Sequence, residues 1–373
     1  MIAHRLQRTI SRQVAAGVLA VLLAMFVPTE VFAQTAKDIL AQAYAVSQRA
    51  QVEADFTEIV TLCEKALQSE PTPVNKKYAD NLMSWSLNRR GEVRSEQDQE
   101  QAATADFDRA LVLNPENWRA LHNRGVSLAL QGKSAEALAI FNKVITLEQG
   151  FANAYFNRGE LLSTQARWQE AIEDYTKASR LNVKDPRSVT NRGYAYYQLG
   201  NQAQALADFN QAIALDKEWP AAYVHRAAIY GDTGRWAQAA SDYRTAIQVA
   251  PDFGLAYQQS AWLMATCPDA KFRDPTLALD AAKRAIELDG DADFHYLDTL
   301  SAAYAANGKF DEAIAGIKKA LTTLPAGYEA FKPELESRLA LYGEKKPYIE
   351  TRTPPATAPT ATTPAATTTP AKQ

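Results

Sequence analysis

Residues 152–185 read ANAYFNRGELLSTQARWQEAIEDYTKASRLNVKD. The Asn157-Arg158-Gly159 inside this stretch has a copy 34 residues to either side, at Asn123-Arg124-Gly125 and Asn191-Arg192-Gly193. The same interval carries an aromatic row, Phe107, Phe141, Tyr175, Phe209 and Tyr243, and an alanine row, Ala103, Ala137, Ala171, Ala205 and Ala239. Each row keeps its side-chain size, as close packing requires. A period of 34 residues is the length of a two-helix unit that cannot bury its apolar face alone and must stack on neighbours. With units counted from Ser84, Trp118, Ala152, Pro186, Pro220 and Gly254, position 8 reads Gly91, Gly125, Gly159, Gly193, Ala227 and Ala261. A small residue there lets the two helices of a unit approach closely. Gly132, Gly200 and Gly234 stand at position 15, where the chain reverses and a missing Cβ relieves the turn.

These rows match the small and aromatic positions of the tetratricopeptide repeat, and most of the chain resembles that family. The resemblance implies an all-α fold, a right-handed superhelical solenoid of about eight helix-turn-helix units. A degenerate first unit is expected from Leu40 to Pro71, followed by a connector, so that unit and connector together take residues 34–83. The repeat array follows over 84–326, with an insertion from Thr266 to Pro275 in its seventh unit. A C-terminal capping helix is expected within 327–350, and a Thr/Pro/Ala-rich tail at 351–373 lacks the apolar residues to bury a core.

Residues 1–33 have the layout of a signal peptide: Arg5, Arg8 and Arg12, then an apolar run from Val14 to Val27, then Val31-Phe32-Ala33 with small residues at the −3 and −1 positions of a cleavage site. The run is shorter than the ~20 residues that span a bilayer as a helix. The expectation is an extracytoplasmic protein, periplasmic or secreted after cleavage near Ala33; an uncleaved anchor is the alternative.

Composition narrows the function. With 40 Lys+Arg against 43 Asp+Glu, the chain has no basic excess for nucleic acid. His122, His225 and His295 lie in separate units, and Cys63 and Cys267 are the two cysteines, so no metal or cofactor site and no catalytic residues are expected. Ser127–Ser134 reads SLALQGKS, but the first glycine of a phosphate-binding loop is missing and the segment follows a helix.

Position 7, usually apolar in the family, reads Arg90, Arg124, Arg158, Arg192 and Arg226. Position 23 supplies Asp106, Asp174, Asp208 and Asp242, broken by Ile140. A structural ladder of ion pairs, within or between neighbouring units, is expected because partly buried charge needs a partner. Position 6 reads Asn123, Asn157, Asn191, His225 and Gln259. In the family the first helix of each unit lines a concave groove, and a row of carboxamides there offers donors and acceptors to the backbone of an extended peptide. This row resembles the asparagine ladder of the O-linked N-acetylglucosamine transferase repeats. Arg119, Phe156, Arg187, Tyr194, Tyr197 and Trp262 fall beside it. The carboxylate clamp of co-chaperone relatives is matched by only two of its five positions. The reading is an exported scaffold for protein–protein interaction that binds a partner segment in its groove. The alternatives are a structural adaptor of a cell-envelope or secretion complex acting through its convex face or tail, a recruitment arm for a separate enzyme, and self-association.

Overall fold

The computed structural model describes residues 35–351; the export segment read at 1–33 and the tail from 352 onward lie outside them. Among the described residues there is no strand, and the α-helices fall into eight pairs and a terminal helix. The pairs are α1 (Ala36–Ser47) with α2 (Glu53–Leu67), α3 (Pro73–Glu96) with α4 (Glu100–Leu113), α5 (Trp118–Leu130) with α6 (Ser134–Leu147), and α7 (Ala152–Thr164) with α8 (Trp168–Leu181). They continue as α9 (Pro186–Gln198) with α10 (Gln202–Leu215), α11 (Pro220–Asp232) with α12 (Trp236–Val249), α13 (Gly254–Thr266) with α14 (Pro275–Asp289), and α15 (Phe294–Ala306) with α16 (Phe310–Thr322). Helix α17 (Lys332–Gly343) ends the series. The helices form one compact unit up to Pro115 and another from Glu116.

Helix starts follow local chemistry. Thr35 caps α1 with Asp38 in a reciprocal capping box, Asp185 caps α9 ahead of Pro186, and Asp274 caps α14 ahead of Pro275. Each acceptor satisfies an N–H that has no intrahelical partner, and proline at the first position lacks one. Thr72 and Pro73 do the same for α3, which then runs unbroken to Glu96. The boundary drawn at 83/84 therefore falls inside a helix: nothing between Val74 and Arg90 is a glycine or a proline that would stop it.

In the first unit the core joins Ile39, Phe56, Ile59, Cys63, Ala66 and Met83. Burial pushes the Cys63 thiol up to about 12, so it is an inert apolar filler. In the second unit the repeat logic is direct. A Cβ on Gly125, Gly159 or Gly193 would stand 2.8 Å from the ring of Phe141, Tyr175 or Phe209, the aromatic residue 16 places on. The absent side chain therefore sets how near the two helices of a pair lie. At the turns Gly132, Gly200, Gly234 and Gly308 take φ between +70° and +78°, while Ala166 takes the same place at φ +56°.

The arginine row pairs with the aspartate row inside the same repeat wherever an aspartate is present, the exception being Arg124, whose repeat has Ile140 there. Nε and Nη2 of Arg90, Arg158, Arg192 and Arg226 donate to both oxygens of Asp106, Asp174, Asp208 and Asp242 at 2.6–2.8 Å. The third nitrogen, Nη1, reaches back to the second helix of the preceding pair, at Asn142 for Arg158 (2.6 Å), Thr176 for Arg192 (3.4 Å) and Asn210 for Arg226 (2.6 Å). One guanidinium thus clips three helices, using the fixed fork that lysine lacks.

Within the second unit, successive first helices pack against one another: α5 on α7, α7 on α9, α9 on α11, α11 on α13 and α13 on α15. The second helices show no comparable approach, so the first helices form the inner face of the stack.

Candidate partner-binding face

The first helices carry the residues singled out from the sequence, and the structure sorts them by exposure. Asn157 and Asn191 are buried, at 4% and 9% exposure. Asn157 Nδ2 donates to His122 Nε2 at 2.9 Å, and His122 Nδ1 donates to Asn123 Oδ1 at 3.2 Å. Burial lowers the His122 pKa to about 4, so the ring is neutral and can accept at Nε2 while donating at Nδ1. The Phe141 and Phe151 rings pack on this imidazole, with centroids at 5.9 and 4.8 Å. The row is thus not uniformly open: Asn123 is half-buried, while Asn157 and Asn191 are buried, with Asn157 Oδ1 and Asn191 Nδ2 left without a hydrogen-bond partner among the described residues. His225 stacks on Phe209 at 5.6 Å, and burial lowers it to about 4. Gln259 Nε2 donates to Gln258 Oε1 at 2.8 Å.

The flanking residues divide in the same way. Phe156 and Tyr194 are core, at 1% and 5% exposure. Arg187 is tied to Asp185, with its guanidinium 4.9 Å from the Phe156 ring centre, and Arg119 lies exposed over Trp118 at 4.1 Å. Tyr197 and Trp262 are half-buried and reachable. The Tyr197 hydroxyl donates to Asp232 Oδ2 at 2.6 Å, from the end of α9 to the end of α11. Asp232 is exposed to solvent, yet the protein around it raises its carboxyl above the usual range, against the lowering effect of the Tyr197 hydrogen bond. Tyr197 is likewise pushed well up by burial and by Asp232. Further along the inner face, Trp262 Nε1 donates to Glu350 Oε1 at 2.5 Å.

Sequence reasoning missed Asp232, Arg338, Tyr348 and Glu350. Asp232 has no counterpart in the neighbouring units, where the equivalent places hold Gln198 and Thr266, and Arg338, Tyr348 and Glu350 follow the last repeat. The 34-residue rule carries no signal for any of them. Among the described residues no group of three or more His, Cys, Asp or Glu is placed to hold a metal ion, and no helix is long and apolar enough to cross a membrane. Both cysteines are unbridged and buried.

Comparison with known families matches residues 89–150, 152–184 and 220–253 to tetratricopeptide repeat models and 193–234 to a further TPR repeat model. A comparison with curated proteins gives no match. Among solved structures, the APC/C hetero-tetramer Cut9–Hcn1 is similar with a TM-score of 0.56 at 18% identity, over 83% of this chain and 57% of that one. Pseudomonas aeruginosa pilF is similar with a TM-score of 0.49 at 19% identity, over 57% of this chain and 94% of that one. A thermophilic TPR protein of Thermus thermophilus follows with a TM-score of 0.42 at 24% identity, over 48% and 97%. Such identities speak to fold alone. Periodicity, helix pairing and family models agree that this chain carries tetratricopeptide repeats in an all-α solenoid architecture.

Proposed function

We propose that the protein is an exported scaffold that holds an extended segment of a partner protein along the inner face of its second unit. Tetratricopeptide repeat proteins generally mediate protein–protein interactions, and the fold is typically a non-catalytic platform. The observation that carries the reading is the Tyr197–Asp232 pair: a half-buried tyrosine and an exposed carboxylate, hydrogen-bonded at 2.6 Å between the ends of two successive first helices. A partner donor meeting Asp232 there finds an acceptor already aimed by Tyr197, which limits the ordering cost to the partner segment. Export is supported by the basic and apolar layout of residues 1–33.

The test is chemical crosslinking in intact cells expressing the full chain beside its Tyr197→Ala/Asp232→Ala variant, with captured proteins compared by mass spectrometry. A partner captured by the wild type and lost from the variant supports the reading. Identical capture contradicts it and moves attention to the second-helix face.

A further inference from the structure

Beyond α17 the chain doubles back. Lys346 N donates to Leu341 O at 2.9 Å, Lys345 takes φ +57°, and Pro347 bars a return to helix. Lys345 stands in the left-handed turn that commonly ends a helix, taken also by Glu70, Asp98 and Ala166. The next five residues, 346–350, then make contacts with α13 and α17.

Glu350 N–H donates to Thr266 O at 2.9 Å, a carbonyl in the last turn of α13 that has no partner within its own helix. Trp262 Nε1–H donates to the Glu350 carboxylate. The Tyr348 ring lies 5.9 Å from that of Trp262, and the Arg338 guanidinium stands 5.5 Å from the Trp262 ring centre and 5.2 Å from that of Tyr348. Main-chain bond, carboxylate anchor and aromatic anchor are the three kinds of contact by which a protein recognises a peptide.

We propose that Trp262, Thr266 and Arg338 form a peptide site that residues 347–350 fill from within the same chain. A partner segment that displaces them shares their chemistry, an aromatic side chain two residues before a carboxylate. This deepens the reading given above, on which it rests: it names what occupies one end of the inner face and what competes for it. Being tethered, the strap outcompetes a free peptide of the same sequence until it is disabled.

The probe is a fluorescently labelled peptide with the sequence of residues 345–351, KKPYIET, read by anisotropy against the full-length wild type, Y348A/E350A, and Y348A/E350A with W262A or W262F added. Thermal melts verify that each variant folds. The expected result is binding about tenfold tighter to Y348A/E350A than to the wild type, corresponding to a site blocked about nine-tenths of the time. That gain is lost with W262A and reduced with W262F, which keeps a ring but has no N–H to donate. Equal affinity for wild type and Y348A/E350A, or tight binding indifferent to both Trp262 substitutions, overturns the proposal. The capture experiment on Tyr197 and Asp232 reads separately: if capture depends on that pair while the peptide result fails, the strap idea falls and the inner-face reading stands.

Discussion

Two kinds of arginine–aspartate pair hold the second unit together, and they differ in how they arise. In the middle of the stack, Arg158–Asp174, Arg192–Asp208 and Arg226–Asp242 recur at a separation of 16 residues, with arginine side chains 16–24% exposed and aspartates 6–9% exposed. At the C-terminal end, Arg338 Nε and Nη2 meet Asp298 at 2.9 and 2.8 Å across 40 residues, with the two side chains 7% and 10% exposed. The first kind is copied with the repeat and joins pairs already packed by their alanine and aromatic rows. The second occurs once and pins α17, and with it the strap, to α15. Burial raises Asp298 to about 6 in spite of Arg338, the mark of an ion pair that is costly to desolvate. The arginine of the unique pair is the more deeply buried, and it has only the exposed Glu334, at 3.7 Å, as a second carboxylate.

The largest expected effect tests that contrast. Asp298→Ala leaves buried Arg338 with only the longer ion-pair contact to exposed Glu334, at 3.7 Å, and should cost about 3–5 kcal/mol by urea denaturation. Trp262 fluorescence should change in step, because Arg338 stacks on it. Asp208→Ala should cost less, about 2–3 kcal/mol, since Arg192 is nearer solvent and keeps its reach to Thr176. Equal costs for the two would erase the distinction.

The third prediction concerns pH. His122 has a pKa of about 4 when folded against an ordinary 6.5, so between those values the unfolded chain binds more protons. Stability then rises with pH through that window, and going from pH 7 to pH 5 should cost about 2 kcal/mol through this residue. Asp298 works in the opposite sense over part of the range, because its folded value lies above the ordinary one. Thermal melts of the wild type and His122→Gln at both pH values isolate the histidine: the variant should lose less on acidification. The smallest effect is a gain. Ala166 holds the left-handed turn that Gly132, Gly200 and Gly234 hold elsewhere. Ala166→Gly should add about 0.5–1 kcal/mol by relieving that strain, part of it offset by the freer unfolded chain.

The periodic part of the molecule was legible in the sequence because one contact set, Gly159 on Tyr175 for example, is written again every 34 residues. The partners of Arg158, Arg192 and Arg226 could be read for the same reason, although their third contact, to the preceding unit, could not. The inner face was harder. Asn157 and Tyr197 both fall on first helices, but periodicity gives a residue's face and not its depth, and His122 with the phenylalanines around it closes over the amide while Tyr197 stays accessible. The strap was illegible because its recognition of Trp262 and Thr266 joins residues 84 to 88 places apart with no repeat to mark them.

The most direct test of the binding reading is photocrosslinking in cells from two single positions of the full chain. A photoreactive amino acid replaces Tyr197 on the inner face or Arg244, exposed on the second helix α12. The account expects a discrete protein adduct from position 197 and none from position 244. An adduct from 244 with none from 197 would contradict it.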